Sequence, residues 1–380
     1  MPDSATLLGI ETSCDETAAA VVRADADGTV VLSSVIASQN ELHEEYRGVV
    51  PEIASRAHAE RLLPVVRQAL TEAGVSMGDI SAVAVGNRPG LIGCLLVGVS
   101  GAKALAWSLD VPLVGIDHVQ AHLYAACLNT SWDAGEIQPA RRVPAPRFPA
   151  IGLVVSGGHT SLFRCDSPTR MMRLGSTIDD AVGEAYDKAA AILGLGFPGG
   201  PQVDRLAQRG NPDAVRLPVS LLDSDSLDFS FSGLKTALLY AARGVPAHPS
   251  RAARSGDAHA LAVPATGASA QDLAASFQHA AVRALIVKVR RAIERHPDCH
   301  TLLIGGGVSA NSLLRARLDE LGRQTIAPGR RIDVRIPEMQ YCLDNAAMIA
   351  GLAWHILRER GGTGDDLSLS ASPRGDLATV

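Results

Sequence analysis

Residues 7–22 and 151–163 follow one pattern. Leu7-Leu8-Gly9-Ile10-Glu11 reads as an apolar strand, Thr12 to Thr17 as a polar turn with small hydroxyl residues, and Ala18 to Val22 as a returning strand. Ile151-Gly152-Leu153-Val154-Val155, Ser156-Gly157-Gly158-His159-Thr160 and Ser161-Leu162-Phe163 read the same way. The second occurrence follows a proline- and arginine-rich stretch at 140–149, the best domain boundary in the chain. A chain that restarts in this manner points to two duplicated α/β lobes. The 380 residues are enough for both. We place the first lobe at 1–147 and the second at 148–360. An Ala/Pro/Gly/Ser-rich stretch at 243–270 reads as a mobile insertion, and the Gly/Ser/Asp-rich residues 361–380 as a disordered tail.

Composition removes several classes. Hydrophobic residues make up 47% and the net charge is only -5, which excludes an intrinsically disordered chain. No run of about 18 uninterrupted apolar residues occurs, so no spanning helix is expected. The first residues lack the basic region of a signal peptide. Together these predict a soluble cytoplasmic protein. The six cysteines are widely and irregularly spaced with no C-x-x-C, which argues against a disulfide framework and a four-cysteine zinc site. Mild acidity does not exclude nucleic acid, because phosphate binding needs only a local basic patch.

The apolar spacing over 41–73 predicts a helix, with Pro64 at or near a break. A strand at 80–85 and a turn, Gly86 to Gly90, lead into an apolar helix from about Leu91 to Ser108. Another strand at 112–116 ends at Asp117, a candidate helix cap. Further helices are expected at 274–294, 309–321 and 344–358.

Five constellations carry candidate chemistry. His118 and His122 stand at i and i+4, on one helical face, and can grip one metal ion. Val119 stands where metallopeptidases of the H-E-x-x-H type carry their glutamate, so the general base of that class is missing. Two ligands are too few, and a carboxylate from elsewhere is needed. Asp344 opens an Ala-rich helix and reads either as its N-cap or as that third ligand. Val154 to Thr160 and Ile304 to Asn311 each pair a buried strand with glycines and a hydroxyl or amide. Such loops direct backbone N–H groups at phosphate or carbonyl oxygens. Asp180, Glu184, Asp187 and Lys188 share one helical face, either solvated or lining a cleft. The rigid turn from Phe197 to Pro201 would bring Gly200 and Asp204 near a ligand. Asp228 to Lys235 reads as a buried aromatic turn or as part of the same cleft.

Taken together and in order, these segments resemble one family, the tRNA N6-adenosine threonylcarbamoyltransferases of the bacterial TsaD type, formerly called O-sialoglycoprotein endopeptidases. The residues carrying the resemblance are Gly9 to Thr17, Gly48 to Glu52, His118 to His122, Ser156 to Thr160, Asp179 to Lys188, Asp228 to Lys235, Gly305 to Asn311 and Asp344-Asn345. The resemblance implies an α/β, actin/Hsp70/sugar-kinase-like fold with two lobes, mixed sheets and flanking helices. It implies transfer of threonylcarbamoyl from threonylcarbamoyl-AMP to N6 of the adenosine 3′ of the anticodon, in tRNAs reading ANN codons. It implies that His118, His122 and Asp344 bind one divalent ion, Fe(II) ahead of Zn(II). It implies that Val154, Val155, Ser156, Gly157, Gly158, Asp187, Gly200, Asp204 and Asn311 surround the donor. The implied partners are tRNA, a TsaB-type paralogue and a TsaE-type ATPase, with no membrane.

Two features depart from the family pattern. Arg88-Pro89-Gly90-Leu91 replaces a Gly-Pro-Gly-Leu turn, and Arg88 there could contact donor phosphate or tRNA backbone. The insertion at 243–270 is also long. Competing readings are a metallopeptidase, a small-molecule kinase of the same fold and a non-catalytic nucleotide-binding scaffold.

Overall fold

The computed structural model describes residues 3–46, 48–130, 144–222, 225–246, 261–263, 265–326, 330–375 and 378–379. Residues 140–143 of the stretch read as the lobe boundary, and most of the insertion, lie outside them.

The first sheet holds β1 (Ser4–Glu11), β2 (Glu16–Asp25), β3 (Gly28–Ser38), β4 (Ala82–Arg88), β5 (Leu113–Asp117) and β6 (Asn129–Thr130), in the order β5-β4-β1-β2-β3-β6. Between its strands come α1 (Asn40–His43), α2 (Pro51–Ala73) and α3 (Ile92–Leu109), and α4 (His118–Tyr124) follows β5. The second sheet holds β7 (Ala150–Val155), β8 (Thr160–Cys165) and β9 (Met171–Ser176). A two-stranded ribbon, β10 (Val245–Pro246) with β11 (Leu261–Val263), stands apart from it. The second sheet is completed by β12 (Thr301–Gly305), β13 (Asp333–Arg335) and β14 (Ala378–Thr379), in the order β13-β12-β7-β8-β9-β14. Its helices are α5 (Val182–Ile192), α6 (Gly199–Ala207), α7 (Ser232–Arg243), α8 (Ala270–Arg295), α9 (Ser312–Arg323) and α10 (Ala346–Glu359).

The two sheets match strand for strand. In each, a three-stranded antiparallel meander comes first, two parallel strands join one side, and a two-residue parallel strand closes the other. The repeated strand–turn–strand in the sequence is the first hairpin of each meander.

Strand side chains alternate between faces, so an unbroken apolar run feeds two cores. Leu8, Ile10, Ala19, Val21, Val83 and Val85 pack with α2 and α3. Leu7, Ala18, Ala20, Val22, Ala82 and Ala84 pack instead with α10. In the second sheet Ile151, Leu153, Val155, Leu302 and Ile304 face α5, α7 and α8. Ala150, Val154, Phe163 and Leu303 face Val119 and Leu123 of α4. The covering helices are thus exchanged: α4 leaves the first sheet and lies on the second, and α10 leaves the second and lies on the first. The central strands admit them through glycine. A Cβ on Gly9 of β1 would meet the Ala346 carbonyl, and one on Gly152 of β7 would meet Leu123. We read α10 into the second lobe from its position in sequence; its packing is on the first sheet.

Three further elements differ from the sequence reading. The helix expected over 41–73 is two helices, with Pro51 at the first turn of α2 where a missing N–H costs nothing. Pro64 lies inside α2 without ending it, because Leu62, Val65, Val66 and Ala69 hold both sides of it against the sheet. Residues 361–375, expected to be disordered, follow the first sheet. Asp365 N–H donates to Leu113 O at 2.7 Å, Gly115 N–H donates to Asp365 Oδ2 at 2.8 Å, and Leu369 packs on the core beneath α2 and α3. Helix α3 is long and apolar enough to cross a membrane, but it packs on β4 and α2. All six cysteines are free.

Candidate metal centre and ligand cleft

The helix exchange brings the start of α4 against the start of α10. Asp117, at the end of β5, caps α4 by accepting from Val119 N at 3.0 Å and Gln120 N at 3.1 Å. That cap fixes the first turn, which carries His118 and, one turn later, His122. The cap of α10 is Asn345, whose Oδ1 accepts from Met348 N at 3.0 Å. Asn345 therefore fills the capping role that the sequence left open for Asp344. The Asp344 carboxylate turns to the histidines instead, with Oδ1 3.1 Å from His122 Nε2 and 3.4 Å from His118 Nε2.

One ligand atom from each of the three residues lies within 4.8 Å of the others. Glu11, at the end of β1, places Oε2 3.0 Å from His118 Nδ1, and Ser13 Oγ lies 3.2 Å from the same nitrogen. These contacts hold Nδ1 and leave Nε2 facing Asp344. A carboxylate behind a histidine is the usual support of a metal-ligating imidazole. His122 is fully buried. Its Nε2 lies near Asp344 but off the line of a hydrogen bond, and its Nδ1 has no partner among the described residues. A buried imidazole left without hydrogen bonds is costly unless something else coordinates it. Two imidazoles and one carboxylate converging with open positions suit a divalent transition metal. The residues present fit such an ion.

The electrostatics agree with the geometry. Burial opposes charge on His118, but the Asp344 and Glu11 carboxylates outweigh it and hold the imidazole well above its ordinary range. Burial and the neighbouring His118 push His122 down. Asp344 stays well below the carboxylate range despite its burial, because both imidazoles face it. Glu16 is pushed well above that range by burial and by Asp344 and Asp15.

Both glycine turns border this centre. A Cβ on Gly305 would strike the His122 carbonyl, and one on Gly306, where φ is 92°, would strike Val155 O. The turn after β7 is closed by Ser156 N donating to His159 O at 2.8 Å and His159 N donating to Ser156 Oγ at 3.1 Å. Gly157 and Gly158 have open space where side chains would stand. Burial, followed by His118 and His122, pushes His159 down to about 4.

The other residues assigned to the donor form two groups. Asp187 of α5 accepts from Gly199 N at 2.8 Å and receives the Gly200 N–H as well, so it caps α6. Burial raises its carboxyl, and those two N–H groups partly offset the rise. Asp204 Oδ1 accepts from Ser312 Oγ at 2.7 Å and Gln278 Nε2 at 3.0 Å, and Oδ2 accepts from Ser312 N at 3.1 Å. Asn311 caps α9 through Leu314 N at 3.0 Å and donates to Gln278 Oε1 at 2.9 Å. Asp204, Gln278, Asn311 and Ser312 are thus one network clamping α6, α8 and α9. Val154 and Val155 are fully buried, so only their backbone can face a ligand. Asp179 accepts from Phe231 N at 2.9 Å and Ser230 Oγ at 2.6 Å, and Asp180 lies between Lys188 and Lys235. The charged helix face and the aromatic turn are therefore one assembly.

Glu11, Ser13 and His159 belong to this neighbourhood, and sequence reasoning gave them no role. A carboxylate ending an apolar strand was the available signal for Glu11. Arg88 lies with Nε 3.7 Å from Asp117 Oδ2, so its first contact is with the residue that caps α4.

Two like sheets with exchanged helices, and a ligand centre where those helices meet, define a two-lobed protein of the actin/Hsp70/sugar-kinase-like class. The model of one family, the tRNA N6-adenosine threonylcarbamoyltransferases (TsaD), matches residues 30–351. A protein of that name from Trichlorobacter lovleyi is 49% identical over 98% of this chain and 97% of its own. One from Bacillus cereus is 43% identical over 99% of this chain and 98% of its own. Among solved structures, YeaZ from Pseudomonas aeruginosa covers 44% of this chain and 64% of its own at 20% identity, with a TM-score of 0.29. The chain belongs to the tRNA N6-adenosine threonylcarbamoyltransferase family.

Proposed function

We propose that the chain acts as its family does, moving threonylcarbamoyl from threonylcarbamoyl-AMP to N6 of the adenosine 3′ of the anticodon in tRNAs reading ANN codons. The observation that carries this reading is the convergence of His118, His122 and Asp344 beside two glycine turns, of which that at Gly157 and Gly158 is open. The donor is a mixed anhydride, already activated, with AMP as leaving group. No covalent intermediate on the protein is required.

In this reading the N–H groups of Gly157 and Gly158 and of the glycine turn after β12 receive the donor phosphate and carbonyl oxygens. Asp187 and the Asp204–Asn311 network set the turn at Gly200 and the start of α9 around the adenylate. His118, His122 and Asp344 hold one divalent ion, Fe(II) in preference to Zn(II), with Glu11 orienting His118. When bound, such an ion supplies Lewis acidity toward a donor oxygen. The remaining rate comes from holding the adenosine amine in line with the carbamoyl carbon.

We place the protein in the cytoplasm, with tRNA, a TsaB-type paralogue and a TsaE-type ATPase as partners. Ile92, Leu96 and Trp107 are exposed along α3 and offer an apolar contact face for the paralogue. The test is nucleoside mass spectrometry of tRNA incubated with the protein, donor and partners. Threonylcarbamoyladenosine should form with the native chain and fall at least a hundredfold with His118→Ala. Full activity of that variant would remove the triad from the mechanism. Absence of product with every component present would remove the reading itself.

A further inference from the structure

A second cleft lies away from the triad, between α8 and residues 212–219. Ser276, His279, Ala280 and Arg283 recur at i, i+3, i+4 and i+7 and so form one face of α8. The facing wall is a turn at 212–215 running on into 216–219, tied to α8 by two hydrogen bonds. Asn211 N donates to Asp272 Oδ1 at 2.8 Å, and Val215 N donates to Ser276 Oγ at 3.2 Å. The cleft is open on one side and its volume is about 240 Å³, near the roughly 300 Å³ lower end of small-molecule sites.

The lining separates by chemistry. Val215, Leu217, Val219 and Ala280 give an apolar floor. Arg216, Arg283 and His279 face Asp213 as the single carboxylate. Both arginines are exposed, and among the described residues neither has an acidic partner. A guanidinium fork matches phosphate oxygens, and an apolar floor accepts a carbon framework or a ring face. Tracking an RNA backbone calls for a strip of cations along a groove rather than this short pocket. In a chain of net charge -5, a local pair of arginines stands out against the overall field.

We propose that this cleft binds a small phosphate monoester of about mononucleotide size, with the phosphate on Arg216 and Arg283 and the organic part on the Val215–Leu217–Ala280 floor. The proposal does not rest on the transferase reading. Calorimetric titration of the full chain with AMP should resolve two classes of site, the first at the main cleft where the transferase reading puts the adenylate and the second here. Inorganic phosphate should compete at the second class. Arg216→Gln with Arg283→Gln should weaken that class at least tenfold and leave the other class unchanged. Asp204→Ala should do the reverse. Ala280→Trp, which fills the floor, should mimic the arginine pair. Thermal unfolding checks that each variant is folded; the arginine pair, being exposed, remains informative if the tryptophan is not tolerated. Absence of the first class alone counts only against the transferase reading, while unchanged AMP binding in the arginine pair overturns the proposal. So does a loss of tRNA affinity in that pair with AMP binding intact, which would make the cleft an RNA surface.

Discussion

Glu11 Oε2 lies 3.0 Å from Nδ1 of His118, joining the end of the first strand to the first turn of α4. The pair fixes which imidazole nitrogen turns toward Asp344. Replacing Glu11 by Ala should lower metal affinity about 10- to 100-fold while leaving the three ligands in place. Glu11→Gln, which can still accept from Nδ1–H, should fall between the two. Competition with a colour-indicating chelator measures this, and wild-type affinity in Glu11→Ala would deny the residue its orienting role.

Removal of the metal should destabilise the fold, because its ligands join α4 to the start of α10, two helices that are far apart in sequence. At metal a hundredfold above its dissociation constant, binding contributes about 2.7 kcal/mol. A chelator should therefore lower the melting temperature of the native chain. Asp344→Ala should melt at the chelated temperature with or without chelator. A melting curve of the native chain indifferent to chelator would contradict this.

Asp204 accepts three hydrogen bonds that tie α6 to α8 and α9. Asp204→Ala should cost roughly 1–3 kcal/mol and raise KM for the donor more than it lowers kcat. An unchanged donor KM would separate the network from the ligand cleft.

Gly9 and Gly152 occupy matching positions in the two sheets but should not tolerate alanine equally. At Gly9 the new methyl meets the backbone carbonyl of Ala346 and lies 3.0 Å from Ala350 Cβ; at Gly152 it meets the far end of the Leu123 side chain. Gly9→Ala should cost about 1–3 kcal/mol, and Gly152→Ala less, since a leucine tip can rotate away. Chemical denaturation of the two variants reads the difference, and equal losses would contradict the packing described.

The half-buried imidazole of His355, 3.0 Å from the Tyr124 hydroxyl, is pushed down to about 4 by burial and by Arg358. Its folded value lies below its unfolded one, so its contribution to stability is complete above about 6.5 and is lost as pH falls toward 4. The loss is on the order of a few kcal/mol, at about 1.4 kcal/mol per pH unit. His355→Gln should flatten the stability profile across that window. A variant with the native pH dependence would assign the loss to other groups.

The local signals were readable from the chain alone. The histidine spacing, the cap at Asp117, the glycine turns and the paired hairpins all depend on near neighbours in sequence. Asp344 was ambiguous because two adjacent residues, Asp344 and Asn345, could each cap a helix, and only the fold shows that Asn345 does so. The helix exchange left no local trace: α10 has the apolar spacing of any core helix, and nothing in that spacing names the sheet it covers. Pro64 misled for a related reason, since the packing that carries α2 past it comes from β2, β3 and α3, outside the helix's own sequence. The residues after 361 look like a tail in composition, yet one carboxylate at 365 and one leucine at 369 find partners on the first sheet.

The exchange of α4 and α10 also bears on how the molecule is made. Ribosomal synthesis delivers β1 to β5 early, but the face of β1 and β2 under α10 stays bare until residues 346–359 emerge. Until then the nascent first half carries an uncovered apolar surface, the kind of surface that chaperones engage and that drives aggregation. A fragment ending before β7 should accordingly be insoluble when expressed alone. Co-expression of the separate second half should recover it, with α10 supplied in trans.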